Sequence, residues 1–518
     1  RFDGRFFIGV LTTGIYCRSI CPAVSPKSCN VRYFPTAAAA AEAGLRPCLR
    51  CRPEAAPGTP AWLGTSATVR RALRLIQEGA LDSASVETLA ERVGIGPRHL
   101  HRLFIEHVGA SPLAVAQTRR LHFAKRLIDD TRLSMTEIAL ASGVGSVRRF
   151  NDAFRHTYGR APRELRRGKP LAAAGDDALS LRLAYRPPYD WAAMLDFLAA
   201  RALPGIERVT PDAYARTVCV NGSSGWIEVR HVPAAHALEL AVHGFDSMAL
   251  FGISQRVRQM FDLTAEPAAV GAILRRDRLL APLLKRRPGL RVPGAWDPFE
   301  LAVRAVLGQQ VSVAAARTFA TRILARHGEP LKDGVAGLTY LFPEPKALAS
   351  ADLTDVGLTR QRTSTLNALA KAVFSGAVCF GDAATAEEVR TALLEVPGIG
   401  AWTAEYVALR ALADPDAFPA ADLVLRRMAG KSAPLTETTL QGRAENWRPW
   451  RAYAVMHLWR AATDQDAGRR RGPQHKRGKH DVSLDPAKSG RRTAADGRPG
   501  RSLRRELPAW PAPGETAG

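Results

Sequence analysis

Between residues 66 and 168 apolar residues recur every three to four positions, broken only by short turns. That period predicts helix after helix with no strand. The pattern changes at Leu179. LSLRLAYR (Leu179–Arg186) alternates apolar and polar residues as a half-buried strand does, and RTVCVNG, WIEVRHV and ALELAVHG repeat it. Helical periodicity returns within this stretch in WAAMLDFLAARAL and MALFGISQRVRQMF, so an α+β unit is expected. From about Asp297 to Thr463 the pattern is helical again, broken by Gly/Pro turns.

Composition breaks divide the chain further. APGTPAW (Ala56–Trp62) and GKPLAAAGDD (Gly168–Asp177) read as linkers. From about Asp464 the chain is rich in Arg, Gly and Pro and almost without apolar residues, which predicts disorder. Its basic clusters, Arg469–Arg471 and Lys476–Lys479, suit loose contact with a polyanion or no contact at all. The expected architecture is therefore multidomain α+β. It has a small cysteine-rich unit at 1–56, an all-α unit at 66–168, an α+β unit at 179–292, an all-α unit at 293–463 and a basic tail at 464–518.

Charge and cysteine usage narrow the function. The 518 residues include 73 Lys plus Arg against 49 Asp plus Glu, a net charge of +24. Such an excess favours a nucleic-acid partner, with a GC-rich genome's preference for Arg codons as the competing explanation. No apolar run approaches the roughly 20 residues that span a bilayer, so a membrane partner is not expected. Seven cysteines in a chain this long form no disulfide scaffold, and a reducing bacterial cytoplasm, close to the nucleoid, is the expected compartment. The chain starts at Arg1 rather than Met, so further N-terminal residues are expected. A monomer is expected.

Five of the cysteines fall between Cys17 and Cys51. Cys17 and Cys21 form C-x3-C, and Cys48 and Cys51 form C-x2-C. Two such pairs supply the four thiolates of a tetrahedral zinc site. Cys29 has no partner at chelate spacing and is the expected non-ligand. The surrounding TTGIYCRSICP (Thr12–Pro22) and GLRPCLRC (Gly44–Cys51) closely resemble the N-terminal domain of the Ada family of methyl-phosphotriester repair proteins. The resemblance implies that Cys17 is both zinc ligand and stoichiometric methyl acceptor. Zinc would keep the thiolate deprotonated and available as a nucleophile. Methylation would remove one negative charge from the site and so raise DNA affinity.

Two helix-turn-helix candidates follow, Ser85–Pro112 and Met135–Leu165. In the first, a second helix starts near Pro97 and carries Arg98, His99 and Arg102. In the other it starts near Ser146 and carries Arg148, Arg149 and Asn151. The doubled layout, each half ending in F-x-x-x-Y/V-G-x-x-P, resembles the AraC-type DNA-binding domain. That implies that each second helix enters a major groove, with promoter DNA as a partner.

The strongest local signal is LLEVPGIGAWTAEYVALRAL (Leu393–Leu412), a helix, PGIG and a second helix. Gly398 and Gly400 let the backbone turn tightly and bring amides to a DNA phosphate. Asp422 lies 22 positions beyond Gly400 and is the single acid between Asp416 and Glu437. It could cap the following helix as well as act chemically. The spacing resembles the helix-hairpin-helix glycosylase superfamily, which implies a catalytic role for Asp422. The position of a Schiff-base Lys in lyase-competent relatives holds Trp402 here, so a monofunctional enzyme leaving an abasic site is expected. No iron–sulfur cysteine set is present, since Cys219 and Cys379 alone follow residue 51.

From Leu181 to Thr463 the chain resembles AlkA-type 3-methyladenine glycosylases, notably in Tyr185–Glu207, Arg287–Val313 and Trp447–Ala461. The resemblance implies a base pocket of Trp402, Tyr406, Trp459 and Gln309. Cationic alkylated purines are held on such rings by about 0.5–2 kcal/mol per contact. It also places Gln310 at the wedge that fills the hole left by an extruded base, where relatives carry an apolar residue. No Pro-Cys-His-Arg motif of alkylguanine methyltransferases occurs, so direct reversal of guanine O-alkylation is not expected. The expected protein acts on double-stranded DNA carrying alkylated bases and methyl-phosphotriesters. The rival is a methylation-responsive transcriptional regulator whose glycosylase half is inactive.

Overall fold

The computed structural model describes residues 3–56, 67–77, 79–144, 146–166, 178–381, 384–430 and 433–470. The two expected linkers, but for Ala56, and the expected tail beyond Arg470 lie outside the described residues.

The cysteine-rich segment folds as β1 (Phe7–Val10), β2 (Ile15–Arg18), β3 (Val31–Phe34), α1 (Ala37–Glu42) and β4 (Arg46–Pro47). Its sheet has the order β3-β1-β2-β4, with β4 parallel to β2 and the other pairs antiparallel. Thr36 caps α1 by accepting from the Ala39 amide at 3.0 Å. The small helix then buries Ala38, Ala39 and Ala40 against Phe7, Tyr16 and Phe34. So small a core leaves room for a metal to contribute to stability.

Among the described residues seven α-helices follow, as the period predicts. They are α2 (Ala67–Gln77), α3 (Ala80–Ser83), α4 (Val86–Arg92), α5 (Pro97–Val108), α6 (Pro112–Asp130), α7 (Met135–Ala141) and α8 (Val147–Tyr158). Serines cap four of them: Ser85, Ser111, Ser134 and Ser146. Both α5 and α8 end at a left-handed glycine, Gly109 (φ 75°) and Gly159 (φ 68°). Each buries three residues at matching helical spacing, Leu100, Phe104 and Val108 in one and Phe150, Phe154 and Tyr158 in the other. The two halves are thus structural repeats joined by the long α6.

The α+β region contains β5 (Leu179–Ala184), α9 (Trp191–Ala199), β6 (Glu207–Val209), β7 (Ala213–Val220), β8 (Ser223–Val232), β9 (Ala237–His243), α10 (Leu250–Met260), α11 (Pro267–Leu274) and α12 (Leu280–Arg286). Its five strands pair antiparallel in the order β5-β9-β8-β7-β6. The sheet does not form a core of its own. One hydrophobic cluster joins Phe123, Leu127, Phe150 and Phe154 of the preceding helices to Leu181, Val229, Leu240 and Ile253. Phe123 meets Phe251 edge to face at 4.9 Å, and the Arg119 guanidinium lies 4.2 Å from the Phe251 ring centroid.

The last region is α13 (Pro298–Leu307), α14 (Val313–His327), β10 (Glu329–Val335), β11 (Leu338–Leu341), α15 (Pro345–Ala349), α16 (Arg360–Phe374), α17 (Ala386–Leu394), α18 (Ala401–Arg410), α19 (Leu423–Ala429), α20 (Glu437–Ala444) and α21 (Arg451–Arg470). It departs from the all-α expectation in the β10–β11 hairpin. EPLKDGVAGLTYL carries two glycines and three charges, too many for a visible apolar alternation. Tertiary contacts hold it instead: the Gly205 carbonyl accepts from the Thr339 and Tyr340 amides at 2.8 and 3.0 Å, and Thr217 Oγ1 donates to the Tyr340 carbonyl at 2.7 Å. Beneath it, buried Arg216 pairs with Glu300 at 2.7 Å, and Arg304 pairs with Glu207, tying sheet to α13. Helix α21 runs to Arg470, past the expected end at Thr463. Among the described residues no helix is long and apolar enough to cross a membrane.

Candidate active site and metal centre

Cys17 lies in β2, Cys21 in the turn after it, and Cys48 and Cys51 just past β4, which runs parallel beside β2. This pairing brings all four Sγ atoms within 4.8 Å of one another. A zinc ion with sulfurs at about 2.3 Å needs them roughly 3.8 Å apart, so the set fits zinc. The local chemistry also calls for a cation. The Cys51 thiol is pulled down to about 6, first by the hydrogen bond from Cys17. Cys17 is pushed above the usual thiol range, first by that same bond and then by burial. The Cys51 thiolate thus keeps Cys17 protonated, and four thiolates require positive charge at their centre. Cys48 and Cys51 are buried while Cys17 and Cys21 remain partly accessible. Cys29 is exposed and outside the cluster. The backbone around Cys17 is anchored on both sides. The Tyr16 hydroxyl meets His122 Nε2 of α6 at 3.0 Å, and Arg18 donates to the Cys51 carbonyl at 3.1 Å.

Arg98 and His99 in the first turn of α5, and Arg102 one turn on, are exposed. Arg102 Nη2 and His99 Nδ1 lie 3.1 Å apart. Arg148 and Arg149 are exposed at the start of α8, with Asn151 half-buried. In both helices the apolar face is packed inward, so these polar residues occupy the free face.

In the hairpin between α17 and α18, Gly398 has φ 87°, and a Cβ there would lie 2.1 Å from Thr365 Oγ1 of α16. Only glycine fits. Gly400 is the N-cap of α18, and a Cβ there would meet nothing within 4 Å. Its surroundings are open to a phosphate. Gln309 is engaged by this hairpin: its Nε2 donates to the Gly398 carbonyl at 3.0 Å and to Thr403 Oγ1 at 3.1 Å. Arg362 donates to the Gln309 carbonyl at 2.6 Å. Gln310 is exposed and left-handed, φ 57°, just ahead of α14. A non-glycine residue in that conformation is held there at a cost of about 1–2 kcal/mol.

The aromatic residues and the acid come together. Trp402 and Tyr406, one turn apart on α18, stack at 5.2 Å and 11°. Trp459 of α21 closes on Tyr406 at 6.1 Å and 50°. Asp422 is the N-cap of α19, where its Oδ1 accepts from the Leu425 amide at 2.9 Å. The same carboxylate accepts from both indoles: Trp402 Nε1 to Oδ2 at 2.9 Å and Trp459 Nε1 to Oδ1 at 3.3 Å. Capping and placement at the aromatic cage are therefore one arrangement. Sequence reasoning missed Arg410, whose Nη1 donates to the Tyr406 hydroxyl at 2.9 Å while its other nitrogens are held by the Pro293 and Gly294 carbonyls. Burial pushes the Tyr406 phenol up, but Arg410 and Arg201 outweigh it and bring it below the ordinary value. The i, i+4 spacing of Tyr406 and Arg410 on α18 was the available signal.

Four family models match in order along the chain. They are the metal binding domain of Ada (residues 1–54), a helix-turn-helix domain (89–168), the AlkA N-terminal domain (180–297) and the HhH-GPD superfamily base excision DNA repair protein (303–452). The chain is 41% identical over 464 residues to a probable bifunctional transcriptional activator/DNA repair enzyme AlkA of Mycobacterium tuberculosis, covering 89% of this chain and 93% of that protein. It is 38% identical over 282 residues to DNA-3-methyladenine glycosylase 2 of Escherichia coli, covering 54% of this chain and 95% of the relative. It is 34% identical over 168 residues to the bifunctional transcriptional activator/DNA repair enzyme Ada of Escherichia coli, covering 32% of this chain and 45% of the relative.

Proposed function

Since the chain belongs to the family of Ada- and AlkA-type bifunctional DNA-repair proteins, we propose that it joins a monofunctional DNA-3-methyladenine-type N-glycosylase to a methyl-accepting transcriptional regulator. The observation that carries the enzymatic half is the Asp422 carboxylate held by two indole N–H groups at the edge of an aromatic cage. Rupture of the N-glycosidic bond builds positive charge on the sugar, and a fixed carboxylate beside it stabilises that charge. Asp422 also orients the attacking water. Tyr406 covers one face of Trp402, so the opposite face is the one left for an extruded cationic base. Trp459 borders the same space. Gly398 and Gly400 bind a backbone phosphate without reading sequence. Gln310 fills the vacated stack, and Gln309 braces hairpin and wedge together.

In the N-terminal segment, Cys17, Cys21, Cys48 and Cys51 would hold one zinc, which keeps the sulfurs deprotonated at neutral pH. A Cys17 sulfur lone pair attacks the methyl carbon of a methyl-phosphotriester. The S–CH3 bond forms as the C–O bond breaks, and its electron pair leaves on oxygen as the ordinary phosphodiester anion. One methyl is taken per chain. Arg98, His99, Arg148 and Arg149 present the two reading helices to promoter DNA.

Base-release profiling on methylated duplex DNA tests the reading. Free 3-methyladenine is expected from the native protein and is lost in Asp422→Asn. Methyl transfer from a phosphotriester duplex is expected and is lost in Cys17→Ala. Absence of any release from the native protein would leave a methylation-responsive regulator.

A further inference from the structure

A half-open cavity of about 380 Å³ lies where the cysteine-rich segment, α2, α5, α6 and α10 meet. Its size is that of a small-molecule site. Phe7, Leu73, Val108 and Val115 give it apolar wall. Arg126 of α6 and Arg258 of α10 give it cationic wall. Most charges around it are committed elsewhere. Arg5 pairs with Glu266 at 3.2 Å, Arg119 with Asp82, and Glu54 with Arg52 and Lys125 at 3.4 and 3.8 Å. The wall histidine His122 is committed to Tyr16.

Arg126 and Arg258 are different. Arg258 is 7% exposed, and its hydrogen bond is a long one, 3.5 Å from Nη1 to the Ala184 carbonyl. Among the described residues neither guanidinium has a carboxylate within ion-pair distance, and Arg126 Nε has no hydrogen-bond partner. Burial, followed by repulsion from Arg126 and Arg186, pulls the Arg258 guanidinium down to about 9. Arg126 is lowered too, first by burial, although Asp130 and Glu54 partly offset it. Two like charges side by side, with Arg258 buried and without an ion-pair partner among the described residues, are costly, and an anion in the shared cavity relieves both.

We propose that this cavity binds a small organic anion, an apolar body bearing one carboxylate, sulfonate or phosphate group that sits between Arg126 and Arg258. The apolar wall accepts the body, and the guanidiniums accept the head group in charge-assisted hydrogen bonds. The occupant touches both the segment that carries Cys17 and the bundle that carries α5 and α8.

The test is calorimetric titration of the full zinc-loaded chain with naphthalene-1-sulfonate and its uncharged analogue naphthalene-1-sulfonamide. One sulfonate is expected to bind per chain, at least tenfold more tightly than the sulfonamide. Arg258→Met and Arg126→Met should each weaken the sulfonate at least tenfold and leave the sulfonamide unchanged. Naphthalene-1-carboxylate and 1-naphthyl phosphate rank the head group. Arg258→Met should also raise the thermal midpoint without ligand, and the sulfonate should raise that of the native chain but not of the variant. Base release unchanged in both variants confirms that they are folded. Equal binding of charged and uncharged ligands, full sulfonate affinity in Arg258→Met, or no binding at millimolar sulfonate would overturn the proposal.

Discussion

Replacing Asp422 with Asn keeps the side-chain shape and removes one negative charge. In the native site three N–H donors converge on two oxygens. Leu425 N and Trp459 Nε1 meet Oδ1 at 2.9 and 3.3 Å, and Trp402 Nε1 meets Oδ2 at 2.9 Å. An amide offers one oxygen and one NH2 donor. With its oxygen toward Leu425 it turns N–H against the Trp402 N–H, and with its oxygen toward Trp402 it uncaps α19. Losing one charge-assisted bond costs about 1.5–3 kcal/mol of stability. The catalytic loss is larger. Positive charge developing about 4 Å from a carboxylate, at an effective dielectric near 20, is stabilised by about 4 kcal/mol. That corresponds to about a 10³-fold fall in single-turnover release of 3-methyladenine. The assay is chromatography of free base from methylated duplex, run beside thermal unfolding and affinity for abasic DNA. The expected result is a rate about 10³-fold down, affinity little changed and a modest loss of stability. A folded variant that releases base within about tenfold of the native rate would refute the electrostatic role of Asp422.

Gly398→Ala forces a side chain into a left-handed position against Thr365, so affinity for undamaged duplex should fall while Tyr406→Phe leaves it unchanged; filter binding decides. Gln310→Gly relieves the left-handed backbone, so thermal stability should hold or rise slightly while release from duplex falls, because nothing fills the vacated stack. Glu207 is opposed by burial, yet Arg304 and Arg216 outweigh it and hold its carboxyl at about 2, below its ordinary 4.5. Its contribution is therefore fully present above about pH 4.5 and lost as pH falls toward 2. Glu207→Gln should cost about 3–5 kcal/mol at pH 7 and flatten acid unfolding across that window. Chelation of zinc should expose residues 3–56 to protease while base release is largely retained; release lost in parallel would mean that the metal supports the whole fold.

Local chemistry was legible in the sequence. Cysteine spacing anticipated the thiolate cluster because chelate geometry is set within a few residues, and β4 beside β2 then brought the two pairs together. Pro97, Ser146, Gly109 and Gly159 marked the starts and ends of α5 and α8 through caps that act within one turn. PGIG announced its hairpin, and Asp422 was readable as a cap because the run after it is helical.

What depends on residues far apart in sequence was not legible. The β10–β11 hairpin exists because Gly205 and Thr217 hold it, more than a hundred residues upstream. Gln309 turned out to brace the glycine hairpin, since its partners come from Gly398 and Thr403. The helical bundle and the following sheet share one core despite the linker between them, because Phe123 and Phe251 each leave an apolar face to cover. Arg258 lies in the helically periodic MALFGISQRVRQMF, and only packing shows that it is buried beside Arg126. Periodicity and caps are short-range, so they survive in the bare string of residues. Which faces meet is settled by the whole chain burying its apolar surface at once.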